Sequence, residues 1–514
     1  MAFAEYFEKN LQSAALLLQG IDAASFKKTL QSDVVAVVFD DQALGSREGR
    51  AIIDLAVRLL ARLYPTLALA AAGKANDKDL EEFELLARAI NSKIDLRRGV
   101  GGATQCLVVG STKPQLGRGK RPFVVYAGSD NWLARVTTKS PAGSGLSSNP
   151  FGAGAAACIA VANVFRWSFS AQLSRAKVDE NLTFSVLEMK PVGPGNVLNP
   201  LLKRFDLGET FLPGVGAIGN GFVWASARLD CTGTLHLIDG ETLAPSNLQR
   251  YAMTAEADVD KPKVELAKGW LAGSKLIVKD HNLHWEPFVS QREGRQFDQV
   301  AVAVDSAGTR INVQASLPRR VFNSWTQAGE AGLSRHAFDA PGACLACLYM
   351  PEKKTPNEDE LIARALHLPE TLDQLLEIRA RIQLAVPTDR PFLDKVSTAA
   401  SVPIDELLPF EGKPLRALYV QGICSGAVMT LAKGGNAVQR NEVPMAFQSA
   451  LAGILLAADL VAERLGLRSR LPTKTQINLM TALAPMPSNG QEKAKRCFCM
   501  DPDFVARYDA KYAR

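Results

Sequence analysis

The chain has 514 residues, with 59 Lys plus Arg against 53 Asp plus Glu and a formal net charge of +6. That length holds two to four domains at roughly 100–200 residues each, and 47 % apolar with 22 % charged residues excludes disordered and collagen-like chains. So small a charge, without clustered Lys and Arg, excludes a nucleic-acid-binding face, and eight cysteines are too few for a disulfide scaffold. The N-terminus, MAFAEYFEKN, lacks a basic stretch followed by an apolar one, so no secretory signal is expected. The longest apolar stretch, Pro444–Val461, contains Gln448, Ser449 and Asp459 and is short for a bilayer span. It reads as a buried core helix, with no membrane contact. The expected compartment is a reducing cytoplasm, where CxxC pairs serve metal or redox chemistry.

After a helical N-terminal segment, 1–32, strand and helix patterns alternate. Val34–Phe39 is a β-branched strand, and Arg50–Leu63 places Ile52, Ile53, Ala56, Leu59, Leu60 and Leu63 at helical spacing. Thr66–Ala72, Thr104–Gly110, Phe123–Ala127 and Trp132–Thr137 read as strands, with an amphipathic helix at Lys78–Ile90. The Gly/Ser/Pro loop Lys139–Asn149 leads into Pro150–Trp167, a helix whose small residues allow close packing. Residues 33–200 thus predict an α/β domain with a mostly parallel, doubly wound sheet. A second α/β unit covers 201–350, opening with strand Thr210–Val215, a glycine-rich turn, a helix and strand Thr234–Ile238. Residues 351–400 turn acidic and helical between prolines, the pattern of an insertion. The remainder, 401–514, returns to the second unit with strand Arg416–Val420, a glycine-containing loop, an Ala-rich helix near 443–465 and a cysteine-containing tail. An Ala-rich helix late in each half suggests two Rossmann-like copies of one unit, a pseudo-dimer in one chain.

Phe211–Asn220 (FLPGVGAIGN) is a strand, then Gly214-x-Gly216-x-x-Gly219, then a helix. Gly214 permits the tight turn, Gly216 lets backbone approach a phosphate and Gly219 lets the helix pack closely on the strand. About 20 residues on, Asp239 ends the next strand, where a carboxylate binds ribose hydroxyls. That spacing alone suggests NAD. Ser246-Asn247-Leu248-Gln249-Arg250, Lys261-Pro262-Lys263 and AVAVDSAGTR follow, the last placing Asp305 at a strand C-terminus with Arg310 five residues beyond. An acid for ribose, cations for phosphate and a further carboxylate at one sheet edge describe an ATP-triphosphate and Mg²⁺ site.

The order GxGxxGN, D-x-[DE], SNLxR, KPK, D-x-x-x-x-R over 211–310 resembles the adenylating domain of the ubiquitin-activating enzyme superfamily, which includes ThiF, MoeB and HesA. The resemblance implies MgATP-dependent adenylation of the C-terminal glycine of a ubiquitin-like protein, then transfer to a cysteine as a thioester. It implies that Gly214, Gly216, Ala217, Gly219, Asn220, Asp239, Glu241, Asn247, Arg250 and Lys263 contact the nucleotide, and that Asp305 holds Mg²⁺. The pattern departs at Tyr251, where the family often has Gln, and at Ser306, where Asn is usual. Cys344-x-x-Cys347 resembles the family's metal-binding CxxC, whose partner pair is here Cys497-x-Cys499; four thiolates suit a structural Zn²⁺. Cys424, between Gly422 and Gly426, reads either as the thioester nucleophile or as a small strand-end residue. Cys106, Cys158 and Cys231 read as structural, and His281-x-x-His284 as a polar loop pair.

Residues 33–170 lack an intact phosphate turn. In the resembled family, an inactive half paired with an active one belongs to members serving conjugation, so a ubiquitin-conjugating-like enzyme is an expected partner. The inactive half usually lends an Arg to the phosphates, and Arg47 and Arg50 are the candidates. The layout resembles the activating enzymes of bacterial ubiquitin-like conjugation operons linked to phage defence. Adenylation of a sulfur-carrier protein or peptide without a cascade, and a non-catalytic ATP-binding scaffold, are the alternatives. The assembly is expected to be a pseudo-dimeric monomer or a homodimer.

Overall fold

The computed structural model describes residues 3–513 except 8–9, 12–13, 15–16, 19, 74–76, 117–120, 174, 196, 293–294, 328, 351–357, 420–443 and 485–488. Its first sheet contains β1 (Val35–Asp40), β2 (Thr66–Ala72), β3 (Asp95–Arg98), β4 (Gln105–Val109), β5 (Phe123–Asp130), β6 (Leu133–Thr137), β7 (Asn181–Ser185) and β8 (Lys190–Pro191). Their order is β3-β2-β1-β4-β5-β6-β7-β8. The second sheet contains β9 (Phe205–Pro213), β10 (Cys231–Ile238), β11 (Ile277–His281), β12 (Gln299–Val302), β13 (Arg320–Gln327), β14 (Glu330–Ala337) and β15 (Lys474–Asn478). It runs β11-β10-β9-β12-β13-β14-β15. Counted from its own first strand, each sheet begins 3-2-1-4-5-6-7. The first five strands of each half pair in parallel, and the sheets finish antiparallel, so they are mixed rather than uniformly wound.

The Ala-rich helices occupy equivalent places. Phe151–Ser168 lies between β6 and β7, and Ala446–Arg464 between β14 and β15. Both are apolar nearly all round, the pattern of a helix buried on every side. Ala446–Arg464 is the one described helix long and apolar enough to cross a membrane, and 89 % of its apolar window is buried inside the protein. It packs on Phe151–Ser168 and on Ala217–Ser226, the helix that follows the glycine turn. Glycines set these distances: a Cβ on Gly453 would lie 2.0 Å from the Ile218 carbonyl oxygen, one on Gly221 2.4 Å from that of Ala450, and one on Gly154 2.6 Å from the Trp224 ring. One apolar core therefore runs through both halves.

Contact density separates a second compact unit, 351–442, from the body formed by 1–350 and 443–514. Its helices Glu358–Ala365, Leu372–Gln383, Arg390–Ala400 and Ile404–Leu407 enclose a core of their own around Ile362, Leu366, Ile378, Phe392 and Leu407. The helical region thus extends past the expected boundary at 400. The strand expected at Arg416–Val420 is corrected: Leu415–Ala417 is helical, started by Pro414, and Leu415 and Leu418 are buried in the helical unit's core. Apolar residues there serve a helix face, and the strand that closes the second sheet is β15, which the sequence pattern did not single out. Cys424, with Gly422 and Gly426, lies outside the described residues.

Gly453→Val is expected to lower stability by at least ~1–3 kcal/mol, since backbone cannot move aside as a side chain can. Denaturant unfolding of the full chain measures it.

Candidate functional site

The glycine turn lies between β9 and its helix. Gly214 has φ of +91°, open to glycine, and a Cβ there would meet the backbone of Ala303 at 2.7 Å. The turn therefore touches the end of β12, where Ala303 N–H donates to the Pro213 carbonyl at 3.0 Å. Gly216 occupies the N-cap of Ala217–Ser226, leaving the helix's first N–H groups facing outward, the arrangement that binds phosphate. Gly219 must be bare because a Cβ would lie 2.4 Å from the Gly214 carbonyl.

Asp239, at the end of β10, accepts Val215 N–H at 2.8 Å and Glu241 N–H at 3.0 Å. Burial pushes its carboxyl up, against the pull of the Lys263 ammonium and the two N–H donors. Lys263 comes from the start of helix Lys263–Trp270. It lands here because backbone bonds tie 241–243 to 260–263: Lys263 N–H to Glu241, Leu243 N–H to Lys261 and Asp260 N–H to Leu243. Its side chain is buried and pairs with the Glu241 carboxylate, which that bond holds below its ordinary range. Burial disfavours the Lys263 charge, but Tyr251, Asp239 and Glu241 outweigh it, so the ammonium stays protonated above its ordinary range. A permanent cation beside a helix N-terminus is an anion site.

Asn247 Oδ1 accepts Ala244 N–H at 3.0 Å, shaping the turn that presents Arg250. Arg250 is half-buried with its guanidinium 5.8 Å from the Tyr251 ring centre. Asn220 is fully engaged with backbone, donating to the Val215 and Gly216 carbonyls at 3.1 and 3.0 Å and accepting Met253 N–H at 3.1 Å. It is a splint between the glycine turn and the 251–254 segment. Asp305 stands exposed just beyond β12, near where the turn meets Ala303. Ser306 caps the following helix, Ala307–Ala315, by accepting Thr309 N–H at 3.0 Å. Arg310 is scaffold: buried, it donates to the Val304 carbonyl at 2.6 Å and to Asn323 Oδ1 at 3.1 Å.

The corresponding place in the first half is filled by an acid. Asp40, at the end of β1, accepts Ser111 N–H at 2.8 Å, Ser111 Oγ–H at 2.9 Å and Ala43 N–H at 2.9 Å. A carboxylate where the second half has a bare glycine turn repels phosphate. Arg47 and Arg50 do not approach the nucleotide site, contrary to expectation: they line a cavity with Arg228, past the C-terminal end of Ala217–Ser226, and Arg50 pairs with Glu82 at 3.0 Å. Two described first-half arginines reach the 251–254 segment: Arg58 donates to the Met253 carbonyl at 3.3 Å, and Arg62, which is buried, donates to the Tyr251 carbonyl at 2.6 Å, the Thr254 carbonyl and the Arg58 carbonyl at 2.6 Å. Nothing in sequence marked it, since Arg62 follows a helix as one more surface-type residue would.

Cys344, Cys347, Cys497 and Cys499 are buried with all four Sγ atoms within 4.8 Å of one another. The closest pairs are 3.3 Å (Cys344–Cys497), 3.5 Å (Cys347–Cys499) and 3.7 Å (Cys344–Cys347). The CxC spacing thus closes the set as well as a second CxxC would. Beyond the cluster, helix Pro502–Tyr512 ends with Lys511 donating to the Ser316 carbonyl at 2.6 Å and Tyr512 to the Leu317 carbonyl at 2.9 Å. The tail thereby caps the helix that starts beside Asp305. His281 is not a loop residue: it lies in β11 and bonds His236 at 3.0 Å, which in turn bonds Glu209 at 3.0 Å. Burial pushes His236 down to about 4 and His281 down as well, so both imidazoles are neutral at physiological pH, while Glu209 beside them is a carboxylate paired with Arg292 at 2.9 Å.

A model of the ThiF family matches residues 198–495. The chain belongs to the ThiF family. The matched stretch contains the half that carries the bare glycine turn, Asp239 and Lys263. Residues 38–170 match a separate model described as prokaryotic E2 family C. A curated relative, the uncharacterized protein y4jF of Sinorhizobium fredii (strain NBRC 101917 / NGR234), is 42 % identical over 515 residues, covering 100 % of this chain and 98 % of its own. Among solved structures, E. coli MccB with selenomethionine MccA is similar at 16 % identity and a TM-score of 0.36, over 57 % of this chain and 66 % of that one. E. coli MccB with ATP is similar at 21 % identity and a TM-score of 0.26, over 40 % of this chain and 58 % of that one. The chain spans less than two thirds of either MccB chain.

Arg62→Met, which leaves buried carbonyls without their donor, is expected to cost roughly 3 kcal/mol. Urea unfolding at constant slope is the measurement.

Proposed function

We propose that this protein adenylates the C-terminal glycine of a ubiquitin-like protein, takes the acyl group onto Cys424 as a thioester and passes it to a separate conjugating enzyme, in bacterial antiphage defence. The observation that carries the reading is the contrast between halves: a bare glycine turn with buried Lys263 in one, and Asp40 plugging the same place in the other. One competent and one incompetent copy fused in a chain is the arrangement of activating enzymes that serve conjugation.

The substrate carboxylate oxygen attacks the α-phosphorus of ATP, the bond to the β-phosphate oxygen breaks, and pyrophosphate leaves. Turn N–H groups, Lys263 and Arg250 take up the developing phosphate charge, and Asp239 holds the ribose. Lys263 exchanges its bond to Glu241 for phosphate oxygens, so no desolvated cation is left unpaired at either stage. Asp305 would hold Mg²⁺, which would shield phosphate charge. A cysteine thiolate then attacks the acyl carbon and AMP departs.

The transfer partner is a second protein. Cys106 and Cys158 are the cysteines within the stretch that matches the E2 family model, and both are buried in apolar surroundings. Burial pushes Cys106 up to about 11 and Cys158 further, so neither supplies a thiolate. The four clustered thiols fit a tetrahedral Zn²⁺, which fastens the tail to the body.

ATP–pyrophosphate exchange dependent on a Gly-ending partner tests the reading. Asp305→Ala is expected to lose about 10²-fold or more of exchange, as loss of a charge stabiliser does. Cys424→Ala is expected to keep exchange and lose the thiol-sensitive adduct on gels; exchange without any adduct in the unaltered chain would leave simple carrier adenylation. Metal analysis is expected to find one Zn²⁺ per chain, lost with Cys497→Ser together with a drop in melting temperature.

A further inference from the structure

Tyr251 stands where the family pattern is broken, and its surroundings are specific. The ring is buried, 5.4 Å from Lys263 Nζ and 5.8 Å from the Arg250 guanidinium carbon. Its hydroxyl lies 3.2 Å from where a Cβ on Gly216 would stand, so the phenol covers the glycine turn. It packs with Ala217, the first residue of the phosphate-binding helix.

The seat of this ring is built by the first half of the chain. Ala4 and Tyr6 pack against Tyr251 together with Leu243 and Leu248. Arg62 holds the Tyr251 carbonyl at 2.6 Å, and Tyr6 Oη–H donates to the Ile90 carbonyl at 3.0 Å, which fixes the N-terminal segment in place.

We propose that Tyr251 is a positioning residue of the phosphate site: its π-face holds the Lys263 ammonium over the glycine turn, and the nucleotide-incompetent half acts on the site by seating that ring. A cation against an aromatic face in a desolvated site is attracted by the ring quadrupole, which a glutamine at this position does not offer. Lys263 is thereby kept in one orientation with Glu241 at its other side, ready for phosphate. The first half thus contributes through packing and Arg62.

The proposal rests on the adenylation reading, and ATP affinity measured by calorimetry on the full chain tests it without needing the acyl substrate. Tyr251→Phe keeps the π-face and is expected to bind ATP within about two-fold of the unaltered protein, while Tyr251→Leu binds roughly three- to thirty-fold more weakly. In a Lys263→Met background the Phe and Leu variants are expected to bind alike, because the cation they differ in holding is gone. Equal binding by Phe and Leu with Lys263 present, or a gap that persists in Lys263→Met, overturns the proposal and leaves adenylation standing. Absence of ATP binding by the unaltered chain overturns the adenylation reading instead. Tyr251→Met replaces the Leu variant should that one fail to fold.

Discussion

Close approach of helices at bare glycines joins the two halves into one body. Gly154, Gly221 and Gly453 each face backbone or a ring at a distance that excludes a Cβ. The apolar surface so buried is continuous through both sheets, and hydrophobic burial is the dominant favourable term in such packing. Because Ala217–Ser226 is one of these helices, the contact that fuses the halves also fixes the direction of the helix that follows the glycine turn. Fold and site therefore depend on the same few glycines.

Two copies with one strand order differ by a local electrostatic change at the end of the first strand. At the end of β9 the chain turns through glycines, and the nearest carboxylate, Asp239, is held aside by Val215 N–H. At the end of β1 the chain places Asp40 in the turn itself and satisfies it with Ser111 and Ala43. The first leaves the turn bare at its glycines; the second places a carboxylate in it. The first half also supports the second, with Arg62 bonding the Tyr251 and Thr254 carbonyls of the 251–254 segment as well as the Arg58 carbonyl of its own helix.

The tail follows a similar economy. Four thiols gather Cys344–Cys347 and Cys497–Cys499, and the helix beyond them caps the end of Ala307–Ala315 through Lys511 and Tyr512. Burial among those carbonyls pushes Lys511 down to about 8, against the pull of a helix C-terminus for a cation. The helix that begins beside Asp305 is thus held at both ends, by Ser306 and by the tail.

The amino-acid sequence alone determined the α/β class and the two-copy organisation, and it singled out the glycine turn, Asp239, Lys263 and the four clustered cysteines that the structure brings together in two places. Those signals are local: a turn that only glycine permits, a carboxylate at a strand end, a CxxC. It misassigned Arg416–Val420, because an apolar stretch reads alike in a strand and in a short helix buried by its neighbours. It offered Arg47 and Arg50 as candidates for the phosphates because spacing cannot say which end of a helix lies near another domain. Tertiary structure alone decided that Arg62 and Tyr251 meet, 189 residues apart in sequence, and that Cys497-x-Cys499 closes on Cys344-x-x-Cys347. Such contacts depend on how the halves dock, which no local pattern encodes.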